Sequence, residues 1–250
     1  MVVFSIGLFG VVFPAMYFYY GSRLPPLQTE FDLERLLRGY IEGERMSIRA
    51  GSADDERRRP EWPRPDIQAL PHDLVVLYIS EFGCPGFFRT PRESSFAASW
   101  RALNHYLIDR ELPGEDGKCE LRLASHLADA IRIRVAQPRA IASSRIRGFL
   151  TKDKLVAYDL SSVQVSEGLF GVEDTALDLF KKPASALSLA QLAELMLALP
   201  PYAEYEDVKL CKAPLLLKAS RDQMLTRLAE ARLVPEDRAR RATLERLACD

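Results

Sequence analysis

Apolar residues recur with helical spacing along much of the chain, and the pattern is clearest between residues 151 and 201. Residues 154–162 and 172–180 both have this spacing, with Gly168 and Gly171 between them. Glycine adopts the backbone conformations that a sharp reversal needs and that residues with a Cβ resist. The pattern therefore predicts two short helices joined by a tight turn.

A further helix is predicted from a capping box. Ser188 is followed three residues later by Gln191, a spacing that satisfies the free backbone N–H groups at a helix start. Pro200 and Pro201 end this helix, because proline cannot continue the backbone hydrogen bonds. Its apolar face is formed by Leu189, Leu192, Leu195, Met196 and Leu199.

The first 21 residues have a different pattern, with no charged side chain and many large apolar residues. About 20 apolar residues suffice to cross a bilayer as one helix, and Tyr17, Tyr19 and Tyr20 suit its interface. There is neither an early basic region nor a clear cleavage site of small residues. An uncleaved transmembrane anchor over 1–21 is therefore predicted, with a buried helix or a removed signal peptide as alternatives.

Residues 22–66 are rich in charge and contain Pro60, Pro63 and Pro65 near their end. This composition predicts an exposed stalk. The same segment also has spacing that fits one amphipathic helix. The apolar residues of that alternative helix are Phe31, Leu33, Leu36, Leu37, Tyr40 and Ile41. Residues 67–250 remain, which is enough for one folded domain.

Composition and cysteine spacing narrow the function classes. The 250 residues are 48% hydrophobic with a net charge of −1, which gives no electrostatic reason to expect nucleic acid. The cysteines lack the close pairs that are typical of zinc sites, so disulfides of unassigned pairing in an oxidising compartment are the alternative. They are Cys84, Cys119, Cys211 and Cys249.

The order of elements in 151–201 resembles the peptidoglycan glycosyltransferases, glycosyltransferase family 51. That family has a Lys-containing helix, a Gly-x-Gly-x-Tyr-Gly-Val loop, and a Leu-Thr-led helix ending in Leu-Pro. The matching positions here include Lys152, Leu160, Gly168, Phe170, Gly171, Val172, Lys182, Ser188, Leu199 and Pro200. Weaker resemblance extends over residues 68–248, with 70–83 similar to the family's opening helix and 221–247 to its closing pair.

The resemblance implies a mainly α-helical, lysozyme-like, two-lobed glycosyltransferase domain following the anchor. Family members polymerise a lipid-linked disaccharide-peptide by inverting displacement of a lipid diphosphate. Such a step needs a carboxylate base and positive charge at the leaving group. Glu81 matches the family's base, and we expect it at the cleft between the lobes.

Several polar positions of the family are altered in this chain. Phe82 follows Glu81 where the family has aspartate, and no histidine follows at the family's spacing. Ala157 stands where the family has a second glutamate, and Ser161 where it has asparagine. The Gln-Gln and Arg-Lys segments of the family are also missing. The residues that pack the helices and turn the chain therefore match the family, whereas several polar residues that the family uses for catalysis are replaced.

A membrane-anchored protein of cell-wall synthesis with weak or absent polymerase activity is our first interpretation. The alternatives are an active glycosyltransferase with Glu81 as base, and a scaffold that binds a cell-wall synthase or glycan. The expected ligand is lipid-linked precursor or a glycan strand, and the expected location is the outer side of the inner membrane. The resemblance allows a divalent metal ion but gives it no ligand here. The candidate substrate-binding residues are Arg145, Arg147, Lys152, Gly168 and Gly171.

Overall fold

The computed structural model describes residues 15, 17–51, 67–81, 83–84, 86–89, 115–133, 136–200, 208–209 and 211–248. Over these residues the protein is mainly α-helical, as predicted. The α-helices are α1 (Glu30–Gly51), α2 (His72–Glu81), α3 (Glu115–Ala130), α4 (Ala136–Phe149), α5 (Lys152–Ser162), α6 (Gly171–Phe180), α7 (Leu189–Leu197), α8 (Pro214–Glu230) and α9 (Glu236–Thr243). The strands are β1 (Gln164–Ser166) and β2 (Leu169–Phe170), and 3-10 turns occur at Ile67–Ala69 and Ala184–Ala186.

The chain divides into two compact units, each formed from an early and a later segment. Residues 1–38 and 88–155 form the first unit, and residues 39–87 and 156–250 form the second. In the first unit α3 packs against α4. Each of these helices has a buried apolar stripe whose members are four residues apart and so lie on one face. The stripes are Leu123 with Leu127, and Ala142 with Ile146.

In the second unit α7 packs against α2, α6, α8 and α9. Every residue of α7 except Gln191 is buried, which is the pattern of a helix enclosed by its neighbours. The predicted capping box is confirmed. The Ser188 hydroxyl accepts from the Gln191 backbone N–H at 3.3 Å, and Gln191 Oε1 accepts from the Ser188 N–H at 3.1 Å. The start of this central helix is therefore fixed by local sequence.

The predicted reversal at the glycine pair is also confirmed, in the second unit. Strands β1 and β2 are antiparallel with Ser166 opposite Leu169, so Glu167 and Gly168 form the turn between them. Gly168 has φ 68° and Gly171 has φ 77°, both in the left-handed region that favours glycine. The Gly171 N–H donates to the Val163 carbonyl at 2.8 Å, which brings the start of α6 against the end of α5.

A buried ion pair joins α8 to α7 and to the last described residues. Arg221 is fully buried, and its Nη1 donates to Glu194 Oε1 at 2.8 Å. Glu194 Oε2 accepts from the Ala248 backbone N–H at 3.0 Å, and Arg221 Nη2 donates to the Glu245 carbonyl at 3.0 Å. Burial raises the pKa of the Glu194 carboxyl, although the Ala248 N–H and Arg221 act against this rise.

The segment predicted as a stalk contains a helix. Leu33, Leu37 and Ile41 of α1 are fully buried, so the amphipathic helix that the spacing also allowed is present. Most of the predicted anchor, residues 1–14 and 16, lies outside the described residues. Within the part that is described, we find no helix that is both long and apolar enough to span a bilayer.

The close approach at Gly171 gives a prediction. A Cβ there would collide with the Ser161 carbonyl oxygen, and the residue has a positive φ. We expect Gly171→Ala to lower the free energy of unfolding by about 2–4 kcal/mol in urea titration. The matched control is Gly39→Ala, because nothing lies within 4 Å of its Cβ position in α1. That substitution should stabilise by about 0.5–1 kcal/mol. Equal unfolding midpoints for the two variants would contradict the conclusion that a side chain cannot be accommodated at position 171.

Candidate functional site

The predicted base, Glu81, is the last residue of α2 in the second unit and is bound by Arg227 of α8. Arg227 Nη2 donates to Glu81 Oε1 at 2.9 Å and to Oε2 at 2.8 Å. The Glu81 side chain is only 7% exposed, whereas that of Arg227 is 51% exposed. A general base must turn an oxygen lone pair toward the proton that it takes. Here both oxygens already accept from one guanidinium.

A buried Tyr–Asp pair lies one helical turn before Glu81. Tyr78 of α2 and Glu81 are three residues apart and so share a helix face. The Tyr78 hydroxyl donates to Asp159 Oδ2 of α5, and both residues are buried. Burial, followed by the Asp159 charge and the hydrogen bond to it, raises the pKa of Tyr78 well above its ordinary value. Asp159, a carboxylate two residues after Ala157, was not predicted from the sequence.

Two positions on α5, 157 and 161, differ from the family's glutamate and asparagine and supply neither a carboxylate nor an amide side chain. Ala157 is 1% exposed and so belongs to the core of the second unit. The Ser161 hydroxyl donates back to the Ala157 carbonyl at 2.6 Å, a local bond within the helix. Position 157 is therefore a packing position in this chain.

Arg147 and Lys152, predicted as substrate-binding residues, lie together in the first unit around Glu120. Arg147 Nε donates to Glu120 Oε2 at 2.7 Å, and Lys152 Nζ lies 3.4 Å from Glu120 Oε1. The Arg147 side chain is 2% exposed, whereas Lys152 is less deeply buried. Glu120 was not predicted from the sequence, because nothing in a helical pattern marks one acidic residue of α3 as the partner of α4.

Arg145 contacts the end of the predicted anchor. Its Nη2 donates to the Gly21 carbonyl at 3.4 Å, and its guanidinium lies 5.9 Å from the centre of the Tyr17 ring. A Cβ at position 21 would lie 2.7 Å from Arg145 Nη2. The absence of a side chain at Gly21 therefore permits this contact within the first unit.

The remaining candidates, Gly168 and Gly171, flank β2 in the hairpin. Tyr40 of α1 lies beside this hairpin in the second unit. Its hydroxyl donates to Gln164 Oε1 at 2.9 Å, and its ring meets that of Phe170 edge-on at 5.7 Å. The structure thus brings together Arg147 with Lys152, and Gly168 with Gly171. Each pair lies within a single unit.

The described residues give no fit to a metal ion. Among them, no three His, Cys, Asp or Glu residues are grouped so that they could hold one. Ala157 supplies no ligand where the family has a carboxylate, so we derive no step through a metal. Cys84, Cys119 and Cys211 are disulfide-bonded.

One cavity of about 240 Å³ lies in the second unit. Its charged lining groups already interact with protein groups. Lys209 Nζ is 2.9 Å from Asp178 Oδ2, and Glu194 is bound by Arg221. We therefore assign this cavity no ligand.

Comparison with curated proteins gives a partial match. No protein-family model matches the chain. Over 63 residues it is 38% identical to a protein of Ralstonia nicotianae named biosynthetic peptidoglycan transglycosylase. The matched segment covers 25% of this chain and 27% of the relative. The chain thus aligns with about a quarter of the curated relative's length. Over that segment, the similarity supports a relation to peptidoglycan transglycosylases.

The Tyr78–Asp159 pair gives a prediction with a definite pH dependence. Because the pKa of folded Tyr78 is raised, its stabilising contribution is complete below about pH 10, the ordinary tyrosine pKa. It declines as pH rises further, since the unfolded chain ionises first. Tyr78→Phe should cost about 1–3 kcal/mol at pH 8 by removing a hydrogen bond to a buried carboxylate. Urea titrations from about pH 8 to 11 should show the difference from wild type shrinking. A constant difference would contradict this interpretation.

The Glu120 cluster yields a test of whether Arg147 is structural. Arg147→Ala removes the guanidinium that pairs with the buried Glu120 carboxylate, so we expect a loss of about 3–5 kcal/mol in chemical unfolding. The control is Arg35→Ala, which removes an exposed pair with Asp32 in the same unit and should cost less than about 1 kcal/mol. If both variants have the wild-type free energy of unfolding, Arg147 is not a structural residue and the predicted substrate role is favoured.

Proposed function

We propose that this chain is a membrane-anchored, peptidoglycan glycosyltransferase-like protein of cell-wall synthesis with weak or no polymerase activity. The observation that carries the proposal is the partial similarity to a peptidoglycan transglycosylase. The uncharged residues 1–21 support the anchor, because their length and apolar character suit a bilayer. The disulfide-bonded cysteines support a location on the outer side of the inner membrane, where disulfides persist.

The geometry around Glu81 supports weak turnover. Glu81 is the one carboxylate that the resemblance matches to the family's base, and Arg227 binds both of its oxygens. Ala157 and Ser161 give no second carboxylate or amide. Loss of a general base alone typically lowers a rate by about 10²- to 10⁴-fold. Loss of charge stabilisation at the leaving group lowers it further.

The proposed ligand is the lipid-linked disaccharide-peptide or a glycan strand, bound by a lysozyme-like, two-lobed domain. Of the two proposed substrate-binding cations beside Glu120, Lys152 is the more accessible, because it is less buried than Arg147 and lies farther from Glu120. Arg145, Gly168 and Gly171 are also proposed as substrate-binding residues. A cell-wall synthase is the proposed protein partner of the scaffold alternative.

Polymerisation of labelled precursor tests the proposal. Full-length protein in detergent should make glycan strands at least about 10²-fold more slowly than an active family member assayed in parallel. Glu81→Gln should change this low rate little, because residues of a catalytic unit do not act additively. Vesicles that carry the precursor should nevertheless retain the protein on co-sedimentation more than vesicles without it.

Two results would decide against this proposal. Synthesis at the rate of the active family member, abolished by Glu81→Gln, would establish the active-enzyme alternative. Equal retention of the protein by the two vesicle types would show that it does not bind the proposed ligand.

A further inference from the structure

Two successive leucines in the first turn of α8 are exposed to solvent. Leu215 is 83% exposed and Leu216 is 70% exposed, whereas Leu217, which follows them, is buried. A single exposed leucine is ordinary on a protein surface, but adjacent exposed apolar residues indicate an interaction surface. The first turn of α8 therefore packs on its own unit through Leu217 and presents the two preceding leucines outward.

The end of α9 lies beside this turn and adds a third exposed leucine. Lys218 Nζ donates to the Thr243 carbonyl at 3.0 Å. Because a helical side chain extends back over the preceding turn, the Lys218 side chain runs toward Leu215. Leu244 follows Thr243 and is 80% exposed. Leu215, Leu216 and Leu244 all belong to the second unit, and we refer to them as the leucine patch.

Basic residues flank the leucine patch. Residues 208–221 contain no acidic residue, and their basic residues are Lys209, Lys212, Lys218 and Arg221. Lys212 is exposed, and the Lys218 side chain is 45% exposed. The carboxylate of Asp222 is bound by Lys218, and that of Glu245 accepts from a serine hydroxyl at 2.6 Å. The leucine patch therefore combines open apolar surface with adjacent positive charge.

The size of the leucine patch favours a bilayer over a folded protein as its occupant. A stable protein interface takes about 20–30 residues from each partner and buries about 800 Å² on each. Three leucines and the lysines beside them provide far less. A bilayer surface needs only shallow insertion of a few apolar side chains, with lysine ammonium groups at the anionic headgroups.

We propose that the leucine patch docks the second unit onto an anionic bilayer surface. The three leucines enter the interface between headgroups and acyl chains, and Lys212 and Lys218 reach the lipid phosphates. The inference rests on the membrane anchor of the proposed function, because a tethered chain meets the bilayer at a high effective concentration. Under that condition a small patch is enough for docking.

Tryptophan quenching in vesicles that contain phosphatidylglycerol tests the docking. Full-length Leu215→Trp and Leu244→Trp are reconstituted in brominated and in unbrominated lipid, and the emission added over wild type is compared. Bromine on the acyl chains should quench this added emission at least about twofold more than in the control, Leu177→Trp. Leu177 of α6 is 41% exposed, lies in the same unit and is outside the leucine patch. Quenching at position 215 or 244 that does not exceed the control would overturn the inference.

The contribution of charge is tested in the Leu215→Trp protein. Adding Lys212→Gln should lower the ratio of docked to undocked protein about fivefold, the effect of one lysine at an anionic surface. Adding Lys182→Gln instead, at an exposed lysine outside residues 208–221, should leave the ratio unchanged. Equal ratios for the two lysine variants would overturn the anionic bilayer as the occupant.

Cross-linking in the same vesicles distinguishes a protein occupant. The wild-type chain should remain uncross-linked through this surface. A cross-linked dimer that Leu215→Ser abolishes, with unquenched tryptophan at position 215, would show that a second copy covers the leucine patch and would overturn the inference.

Carbonate washing of the vesicles separates this inference from the proposed anchor. If the protein resists carbonate but the tryptophan at position 215 is unquenched, the anchor stands and the docking surface fails. If carbonate releases a protein whose tryptophan was quenched before the wash, the docking surface stands and the anchor fails. Resistance to carbonate together with quenching supports both.

Discussion

The second unit depends on the enclosure of α7 and on the buried ion pair at its centre. Glu194 of α7 binds Arg221 of α8, and both side chains are buried. Such a pair adds little net stability because both charges must be desolvated, but it tolerates few alternative geometries. The helices that carry Glu81 and Arg227 both pack against α7. The position of the Glu81–Arg227 pair is therefore set by the helix packing around the Glu194–Arg221 pair.

Local signals predicted local structure well. The capping box at Ser188 and the turn at Gly168 need only neighbouring residues, and both form as the sequence indicates. The partners of the charged residues were not predictable in this way. Arg227 and Glu81 are 146 residues apart, and Tyr78 and Asp159 are 81 apart. A single sequence records which residues can pair but not which helices the fold places side by side.

The acidic residues around the candidate positions share one property, which is that each has a defined donor. Glu81 accepts from Arg227, Asp159 from Tyr78, and Glu120 from Arg147. Hydrogen bonds of this kind fix the orientation of a carboxylate. A general base must instead direct an oxygen lone pair at the proton that it takes. These carboxylates therefore have a clear structural role.

Binding and turnover need not be lost together. Interactions that are equally strong in the ground state and the transition state contribute to affinity, whereas rate depends on those that strengthen in the transition state. Under the proposed function, Ala157 and the pairing of Glu81 with Arg227 remove interactions of the second kind. The contacts proposed for Lys152 and for the turn at Gly168 are of the first kind. The proposed protein therefore binds its ligand but converts it slowly.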